Sequence, residues 1–169
     1  MPVKKYIFGR PRLTSYELLL WLNDPFVREA IAHSDIITIT VGGNDLLQAN
    51  RLFSQTRDPA IFERSAIMFA ENIKKIITEI YTIKIHSPFR KPFNVKLIGL
   101  YNPFPQLPYS EAWINTFNNI MARNTNRNIT FINIQPLFSY ARTQLLSNDM
   151  LHPNAYGYKL ITETLARYT

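Results

Sequence analysis

The sequence predicts an α/β fold in which helices cover a parallel β-sheet, and two patterns support this. Short apolar runs rich in β-branched residues alternate with longer segments whose apolar residues recur every three or four positions. The apolar runs are nearly continuous, as is typical of strands buried on both faces of a parallel sheet. The chain has 169 residues and shows no repeat, linker or low-complexity tract, so a single domain over residues 1–169 is expected.

The elements follow in order from their capping residues and apolar patterns. A capping-box pair, Thr14 and Glu17, starts a helix that ends near Leu22, and Pro25 starts a second helix that ends at His33. Further helices are predicted over residues 59–84, 109–123 and 154–168, strands over 35–41, 94–100 and 128–134, and loops over 101–108 and 135–153. On the longest helix, the apolar stripe is predicted to contain Ile67, Ala70, Ile73, Ile77 and Ile80.

The composition excludes several kinds of site. The chain has no cysteine, so disulfides, thiolate metal sites and a cysteine nucleophile are excluded. Its three histidines are scattered without a His-x-x-x-His spacing, so no metal site is expected. No apolar run approaches the roughly 18 residues that span a bilayer. The N-terminal residues lack the apolar segment of a signal peptide, so no targeting segment is expected within the chain.

The net charge of +7 allows two interpretations. A basic protein can bind nucleic acid, but here the basic residues are scattered and no nucleic-acid motif accompanies them. A solvated basic surface, with some affinity for anionic polymers, is therefore the favoured interpretation. No nucleic-acid partner is expected.

Two short segments carry residues suited to chemistry. Gly42-Gly43-Asn44-Asp45 follows the first predicted strand, at the sheet edge where parallel α/β folds bind ligands. Asn44 could donate a hydrogen bond to an oxyanion, although the same four residues are common in plain strand-to-helix turns. Asp149 lies three residues before His152 and could hold one imidazole nitrogen while the other accepts a proton. Alternatively, Asp149 is a helix-capping residue beside a surface histidine.

The order of these segments resembles that of the SGNH hydrolases, also called the GDSL esterase/lipase family. Residues 42–45 are similar to that family's third block, GxND, and residues 149–153 are similar to its fifth, DxxHP. The stretches LIGLYNPFP and HPNAYGY resemble the bacterial branch of lipase/acylhydrolases related to YpmR. The resemblance covers nearly the whole chain from about Phe8 onward.

The resemblance implies a flavodoxin-like three-layer α/β/α sandwich and hydrolysis of acyl esters through serine-type acyl transfer, without a metal or cofactor. By position, His152 would be the general base and Asp149 would orient it. Asn44 would donate to the oxyanion, and Gly42 would shape the turn that carries it. Arg12 stands where the second block has an oxyanion-hole glycine, so its backbone N–H would be the donor there. The implied substrates are small esters, lipids or acetylated sugars.

One block of the family has no counterpart in this sequence. The nucleophilic serine belongs to a first block, GDSL, and none of the eight serines here follows a strand and a Gly-Asp pair. No nucleophile is therefore assigned, and Ser15, the serine nearest to the expected position, is interpreted as structural. The chain is interpreted as an N-terminally truncated or mis-started family member that lacks the first strand. Residues 3–8 would be a remnant of the second strand, and the exposed sheet edge would favour a homo-oligomer.

Three functions are compatible with these residues. The first is an ester hydrolase that is weak or inactive, because it lacks the nucleophile block. The alternative is a non-catalytic module that binds a carbohydrate or acyl chain, with a cleft lined by Tyr101, Phe104, Tyr109 and Trp113. For these aromatics, core and loop packing is the favoured explanation. Nucleic-acid binding ranks last. The sequence leaves the compartment open, with an extracytoplasmic or membrane-anchored parent protein favoured by the resemblance.

Overall fold

A computed structural model describes residues 4–89 and 91–168 of the chain, and for Arg142 it describes the backbone alone. Within these residues the chain forms seven helices and three strands. In chain order they are α1 (Ser15–Trp21), α2 (Pro25–His33), β1 (Ile36–Thr40), α3 (Gly43–Thr56), α4 (Ala60–His86), β2 (Asn94–Ile98), α5 (Ser110–Ala122), β3 (Ile129–Ile132), α6 (Gln135–Leu145) and α7 (Ala155–Ala166).

The three predicted strands and the five predicted helices are confirmed, with ends that differ by one to a few residues, whereas α3 was not predicted. The capping box of Thr14 and Glu17 is formed, and Pro25 lies in the first turn of α2 as expected. The loop predicted over residues 135–153 is wrong in its first part, because α6 occupies residues 135–145. That helix is short and is interrupted at Ala141, whose φ of −134° is not helical, so its apolar pattern is weak.

The predicted strand remnant at residues 3–8 is also not found. Residue 3 lies outside the described residues, and residues 4–8 have no regular structure and are exposed. Since no described strand pairs with them, solvent is left to satisfy their backbone groups.

The sheet contains three strands in the order β1-β2-β3. β2 and β3 pair in parallel, from Val95 with Ile129 to Ile98 with Ile132. β2 lies in the middle and is almost wholly buried, whereas three of the five residues of β1 are exposed. Among the described strands, β1 therefore forms an edge of the sheet.

The chain divides into two compact units, of which the first holds the residues up to Ile37 together with Val41–Asn94. Its centre is α4, against which α1, α2 and α3 pack. The predicted apolar stripe of α4 is partly wrong, because Ile67 is 55% exposed and the interior side chains are Phe62, Ala66, Phe69, Ile73, Ile76, Ile80 and Ile83. This stripe is longer than the predicted one and contains two phenylalanines, so it buries more apolar surface.

The second unit holds Thr38–Thr40 together with the residues from Val95 onward. Side chains from β2, β3, α6 and the residues next to them form its core, namely Ile98, Ile132, Ile134, Phe138, Leu145 and Leu146. Leu160, Ile161 and Leu165 of α7 pack against this core. Tyr158 of the same helix is 55% exposed.

Two buried lysines bind the carboxyl ends of helices. In the first unit, Lys84 Nζ donates to the carbonyls of Ala32 (3.0 Å) and Ser34 (2.8 Å) at the end of α2. In the second unit, Lys96 Nζ donates to the Leu165 carbonyl (3.2 Å) near the end of α7. Carbonyls in the last turn of a helix lack the regular i+4 partner, and a cation there also complements the helix dipole.

Candidate active site

The third-block residues lie in the first unit, where the chain turns from β1 into α3. Gly42 has a φ of 107°, in the left-handed region that favours glycine, and it is the residue before the first turn of α3. Asn44 follows in that turn, and its Nδ2 donates to the carbonyl of Leu13 (3.0 Å). An amide nitrogen has two protons, so this bond leaves the second available to another acceptor.

Arg12 lies one residue before Leu13 and also has a left-handed backbone, with a φ of 64°. A residue other than glycine adopts this conformation at a cost of roughly 1–2 kcal/mol. Arg12 is exposed. The conformation is one that glycine adopts freely, and glycine is what the second block has at this position.

Asp45 belongs to a buried polar cluster that the sequence interpretation missed. Its carboxylate accepts from the backbone N–H of Ser15 (3.0 Å) and from the Ser15 hydroxyl (2.5 Å). The Ser15 oxygen in turn accepts from Asn72 Nδ2 (3.0 Å). Ser15 is completely buried, and burial raises the pKa of Asp45 above its ordinary value, opposed by the two bonds from Ser15. Asn44 and Asp45 together thus hold the backbone of residues 13–15 in place.

The fifth-block residues lie in the second unit, on the loop between α6 and α7. His152 Nδ1 is 2.6 Å from Asp149 Oδ2, so the contact expected from their spacing is present. The other carboxylate oxygen, Oδ1, accepts from the backbone N–H groups of Leu151 and His152, both at 2.9 Å. The hydrogen bond with His152 and these backbone bonds lower the pKa of Asp149 below its ordinary value. The carboxylate is therefore ionised at neutral pH, as an orienting group must be.

The backbone closes this loop into a compact turn. The Ser147 N–H donates to the His152 carbonyl (2.8 Å), and the Asn154 N–H donates to the Leu145 carbonyl (2.8 Å). Asn154 then caps α7 by accepting from the Gly157 N–H (2.9 Å). The His152 side chain is 66% exposed, and its Nε2 has no hydrogen-bond partner among the described residues. An imidazole held in this way can take a proton through Nε2.

Among the described residues, no serine is bonded to the His152 ring. Each of the eight serine hydroxyls already lies within hydrogen-bonding distance of a carbonyl or carboxylate of the described chain. These serines are Ser15, Ser34, Ser54, Ser65, Ser87, Ser110, Ser139 and Ser147. Ser147 is the nearest in sequence to the histidine, and its hydroxyl contacts the Asp149 carboxylate rather than the imidazole.

Other sites are scarce in the part of the chain that the structure describes. No three His, Asp or Glu side chains there come close enough to bind a metal ion. None of the described helices combines the length and apolar character needed to cross a membrane. A pocket of about 360 Å³ is present in the first unit, where the Arg10 guanidinium stacks 3.7 Å from the centre of the Trp21 ring. Leu13, Glu17 and Leu20 complete its lining.

Comparison with known proteins identifies the family. The GDSL-like Lipase/Acylhydrolase family matches residues 3–160. The chain belongs to this family. It is 32% identical over 164 residues to the spore germination lipase LipC of Bacillus licheniformis, a match that covers 96% of this chain and 76% of LipC. It is 27% identical to YpmR of Bacillus subtilis (strain 168), over 95% of this chain and 63% of YpmR, so it spans less than two thirds of that relative.

A solved structure confirms the fold class. The crystal structure of the lipase Lip_vut3 from a goat rumen metagenome superimposes with a TM-score of 0.84 and 32% sequence identity, over 92% of this chain and 73% of that lipase. The predicted α/β fold of SGNH-hydrolase type, with a parallel sheet, is therefore correct. A GDSL-family lipase/acylhydrolase function is likewise supported by these relatives.

Proposed function

We propose that this chain is an acyl-ester hydrolase domain of the serine type in which His152 is the general base and Asp149 orients it. The 2.6 Å contact between His152 Nδ1 and Asp149 Oδ2 is the observation that carries this proposal. In acyl transfer such a base takes the proton of the attacking hydroxyl and later returns it to the leaving group. The carboxylate selects the tautomer and stabilises the imidazolium that forms.

Asn44 and Arg12 are proposed as the oxyanion donors. The second Nδ2 proton of Asn44 and the backbone N–H of Arg12 are the donating groups, and Gly42 gives the turn its left-handed shape. The left-handed φ of Arg12 supports this assignment. With this φ, the backbone N–H of Arg12 points in the direction that the N–H of a glycine would take at the same position. A single donor of this kind contributes roughly a hundredfold to a thousandfold to the rate.

These 169 residues by themselves are proposed to hydrolyse esters weakly or not at all, because no serine is placed as the nucleophile. The members of a catalytic triad act as a unit, so a base without a nucleophile retains little of the rate. The engagement of all eight serine hydroxyls also favours the second candidate, a non-catalytic module that binds an acyl chain or a carbohydrate without turnover. Tyr101, one of the aromatics suggested for such a cleft, stacks on Phe138 within the fold.

The substrate class is proposed from the relatives, which are called lipases. It comprises acyl esters of lipids or small alcohols, with acetylated sugars as a further candidate. The edge strand β1 is proposed as the contact for a second copy of the chain, because three of its five residues are exposed and an edge strand can pair with another strand. Light scattering after gel filtration tests this, and a monomer at all concentrations would contradict it.

The function is tested by labelling the purified chain with a fluorophosphonate, followed by intact mass and peptide mapping. We expect no adduct on a defined serine, and we expect His152→Ala to change a low rate on p-nitrophenyl butyrate little. The exposed His86→Ala is the matched control. A single mapped adduct that disappears in His152→Ala would show that one of the serines is a working nucleophile and would contradict the proposed weak or absent activity.

A separate measurement tests His152 as a base. Added methanol can replace the missing hydroxyl, and we expect it to accelerate ester cleavage by the unmodified chain more than by His152→Ala. Equal acceleration in both proteins would contradict the role of His152. Saturable binding of a non-hydrolysable ester analogue, together with no cleavage of the corresponding ester, would favour the binding module.

A further inference from the structure

The two oxygens of the Asp149 carboxylate have different partners. Oδ2 bonds the imidazole, while Oδ1 bonds two backbone N–H groups and lies 2.7 Å from the hydroxyl oxygen of Ser147. The Ser147 oxygen is also 2.9 Å from the His152 carbonyl, and its single proton can be shared between these two acceptors. The charged carboxylate is the stronger acceptor, so the proton lies mainly on that side.

A second hydroxyl reaches the same loop from the central strand. Tyr101 follows β2 by three positions, and its hydroxyl donates to the Leu151 carbonyl at 2.6 Å. Its ring stacks on Phe138, with ring centres 3.9 Å apart and an angle of 16° between the planes. Phe138 is itself buried in the core of the second unit, so the tyrosine is anchored at both ends.

We propose that Ser147 and Tyr101 are positioning residues for His152: Ser147 fixes the Asp149 carboxylate, and Tyr101 fixes the peptide group that leads into the histidine. This inference rests on the proposed function, in which His152 is the base. Neither hydroxyl touches the imidazole. Each acts through a neighbour, and together they define both the direction of the carboxylate and the direction from which the histidine side chain leaves the backbone.

The two hydroxyls act on different degrees of freedom. Ser147 occupies Oδ1, so a rotation of the carboxylate that would exchange the two oxygens must break its bond as well as two backbone bonds. Tyr101 holds the carbonyl of Leu151, and the plane of the following peptide determines where the Cα of His152 lies. Burial of Tyr101, followed by the nearby Tyr158 and Asp149, raises the pKa of its hydroxyl, which therefore stays protonated as a donor throughout the working pH range.

The test uses nuclear magnetic resonance on the whole chain, so that it does not require turnover. In the unmodified chain, the Nδ1 proton of His152 is expected far downfield, because it lies in a short bond to a carboxylate. In Ser147→Ala, the titration midpoint of the Asp149 carboxyl carbon is expected to rise toward its ordinary value, since one donor to the ionised form is lost. Ser147→Thr keeps the hydroxyl and is expected to restore the low midpoint.

Tyr101→Phe keeps the ring and removes the bond to Leu151. We expect the backbone amide of His152 to exchange with solvent roughly five- to tenfold faster, as for the loss of one hydrogen bond, with the Asp149 midpoint unchanged. The matched controls are Ser139→Ala, whose hydroxyl bonds a carbonyl of α6, and Tyr140→Phe, whose side chain is 94% exposed. Both controls are expected to leave the midpoint and the exchange rate unchanged.

The outcomes separate the two proposals. Absence of the downfield proton in the unmodified chain would contradict the Asp149–His152 pair and with it the proposed function. If the downfield proton is present but Ser147→Ala and Tyr101→Phe behave like their controls, the proposed function stands and the positioning roles are overturned. If Tyr101→Phe does not fold, the comparison of Ser147→Ala with Ser147→Thr still decides the role of Ser147, and equal midpoints in these two variants would refute it.

Discussion

Replacing Gly157 by alanine tests how closely α7 approaches the end of α6. A Cβ added at Gly157 would lie 2.4 Å from the Leu145 carbonyl oxygen and 3.0 Å from Pro153 Cβ. The first distance is about 0.6 Å shorter than the shortest contacts that Cβ atoms make, and the obstructing atom belongs to the backbone. The first turn of α7 must therefore move away from Leu145, which stretches the 2.8 Å bond from the Asn154 N–H to the same carbonyl.

The magnitude follows from opposing terms. Overpacking of this kind costs about 1–3 kcal/mol, and loss of the Asn154 bond costs about 1 kcal/mol. Alanine in a helix gains about 1 kcal/mol over glycine. The free energy of unfolding is therefore expected to fall by about 1–3 kcal/mol, which for a chain of this length lowers the melting temperature by about 2–12 °C.

Differential scanning calorimetry measures this change, and Gly9→Ala is the matched control because nothing lies within 4 Å of a Cβ there. The control is expected to melt within about 1 °C of the unmodified chain, as a typical surface substitution does. The displaced residues Pro153 and Asn154 adjoin His152, so the downfield Nδ1 proton should also broaden in Gly157→Ala. A variant that melts at or above the unmodified chain would refute the close approach of α7 to Leu145.

Three further predictions concern the buried and charged groups. Asp45→Asn is expected to lower the free energy of unfolding by about 1–3 kcal/mol in urea titrations, because the amide offers Ser15 one acceptor fewer. Because the pKa of Asp45 is raised, the unmodified chain should lose stability as the pH rises from 3.8 through that raised value. Asp45→Asn should not show this loss, and parallel plots of stability against pH for the two proteins would contradict the prediction. Lys84→Met is expected to lower the free energy of unfolding by about 1–3 kcal/mol, because it removes the bonds to the Ala32 and Ser34 carbonyls. The exposed Lys75→Met is expected to change it almost not at all, and equal losses in both variants would argue against the cap. Because the pKa of Asp149 is lowered, its bond to His152 should persist as the pH falls to 3.8 and be lost only below it. A carbon-13 titration of the Asp149 carboxyl with a midpoint at or above 3.8 would count against the bond.

The strands and the capped helices could be predicted from sequence because their signals are local. A β-branched run such as Ile36–Thr40 has few alternatives, and the box of Thr14 and Glu17 defines a helix start by itself. No helix was predicted at α3, which begins with Gly43 and Asn44, because these are typical turn residues. The buried face of α4 was misplaced because Asn72 lies on it, a polar residue that an apolar pattern leaves out.

The candidate site divides in the same way. The Asp149–His152 contact could be predicted from a spacing of three residues, whereas the cluster around Asp45 joins Ser15, thirty positions away in sequence, to Asn72. Ser15 could be interpreted as structural from its position at a helix start, but its complete burial needed the fold. Contacts between distant segments leave no mark on either segment alone, which is why this cluster was missed.

The loop around His152 is held by hydrogen bonds between residues close in sequence, and this affects how the molecule folds and how it tolerates changes in sequence. Its hydrogen bonds join residues at most ten positions apart, the longest being that from Asn154 to Gln144, with the bond from Tyr101 to Leu151 across fifty positions as the exception. Closing so short a loop costs little chain entropy, and contacts of low sequence separation form early in folding. The loop that carries the carboxylate–imidazole pair is thus held almost entirely by its own residues. Its one distant hydrogen bond comes from Tyr101, three residues after β2. Insertions, losses and rearrangements elsewhere in the chain can therefore leave this pair intact.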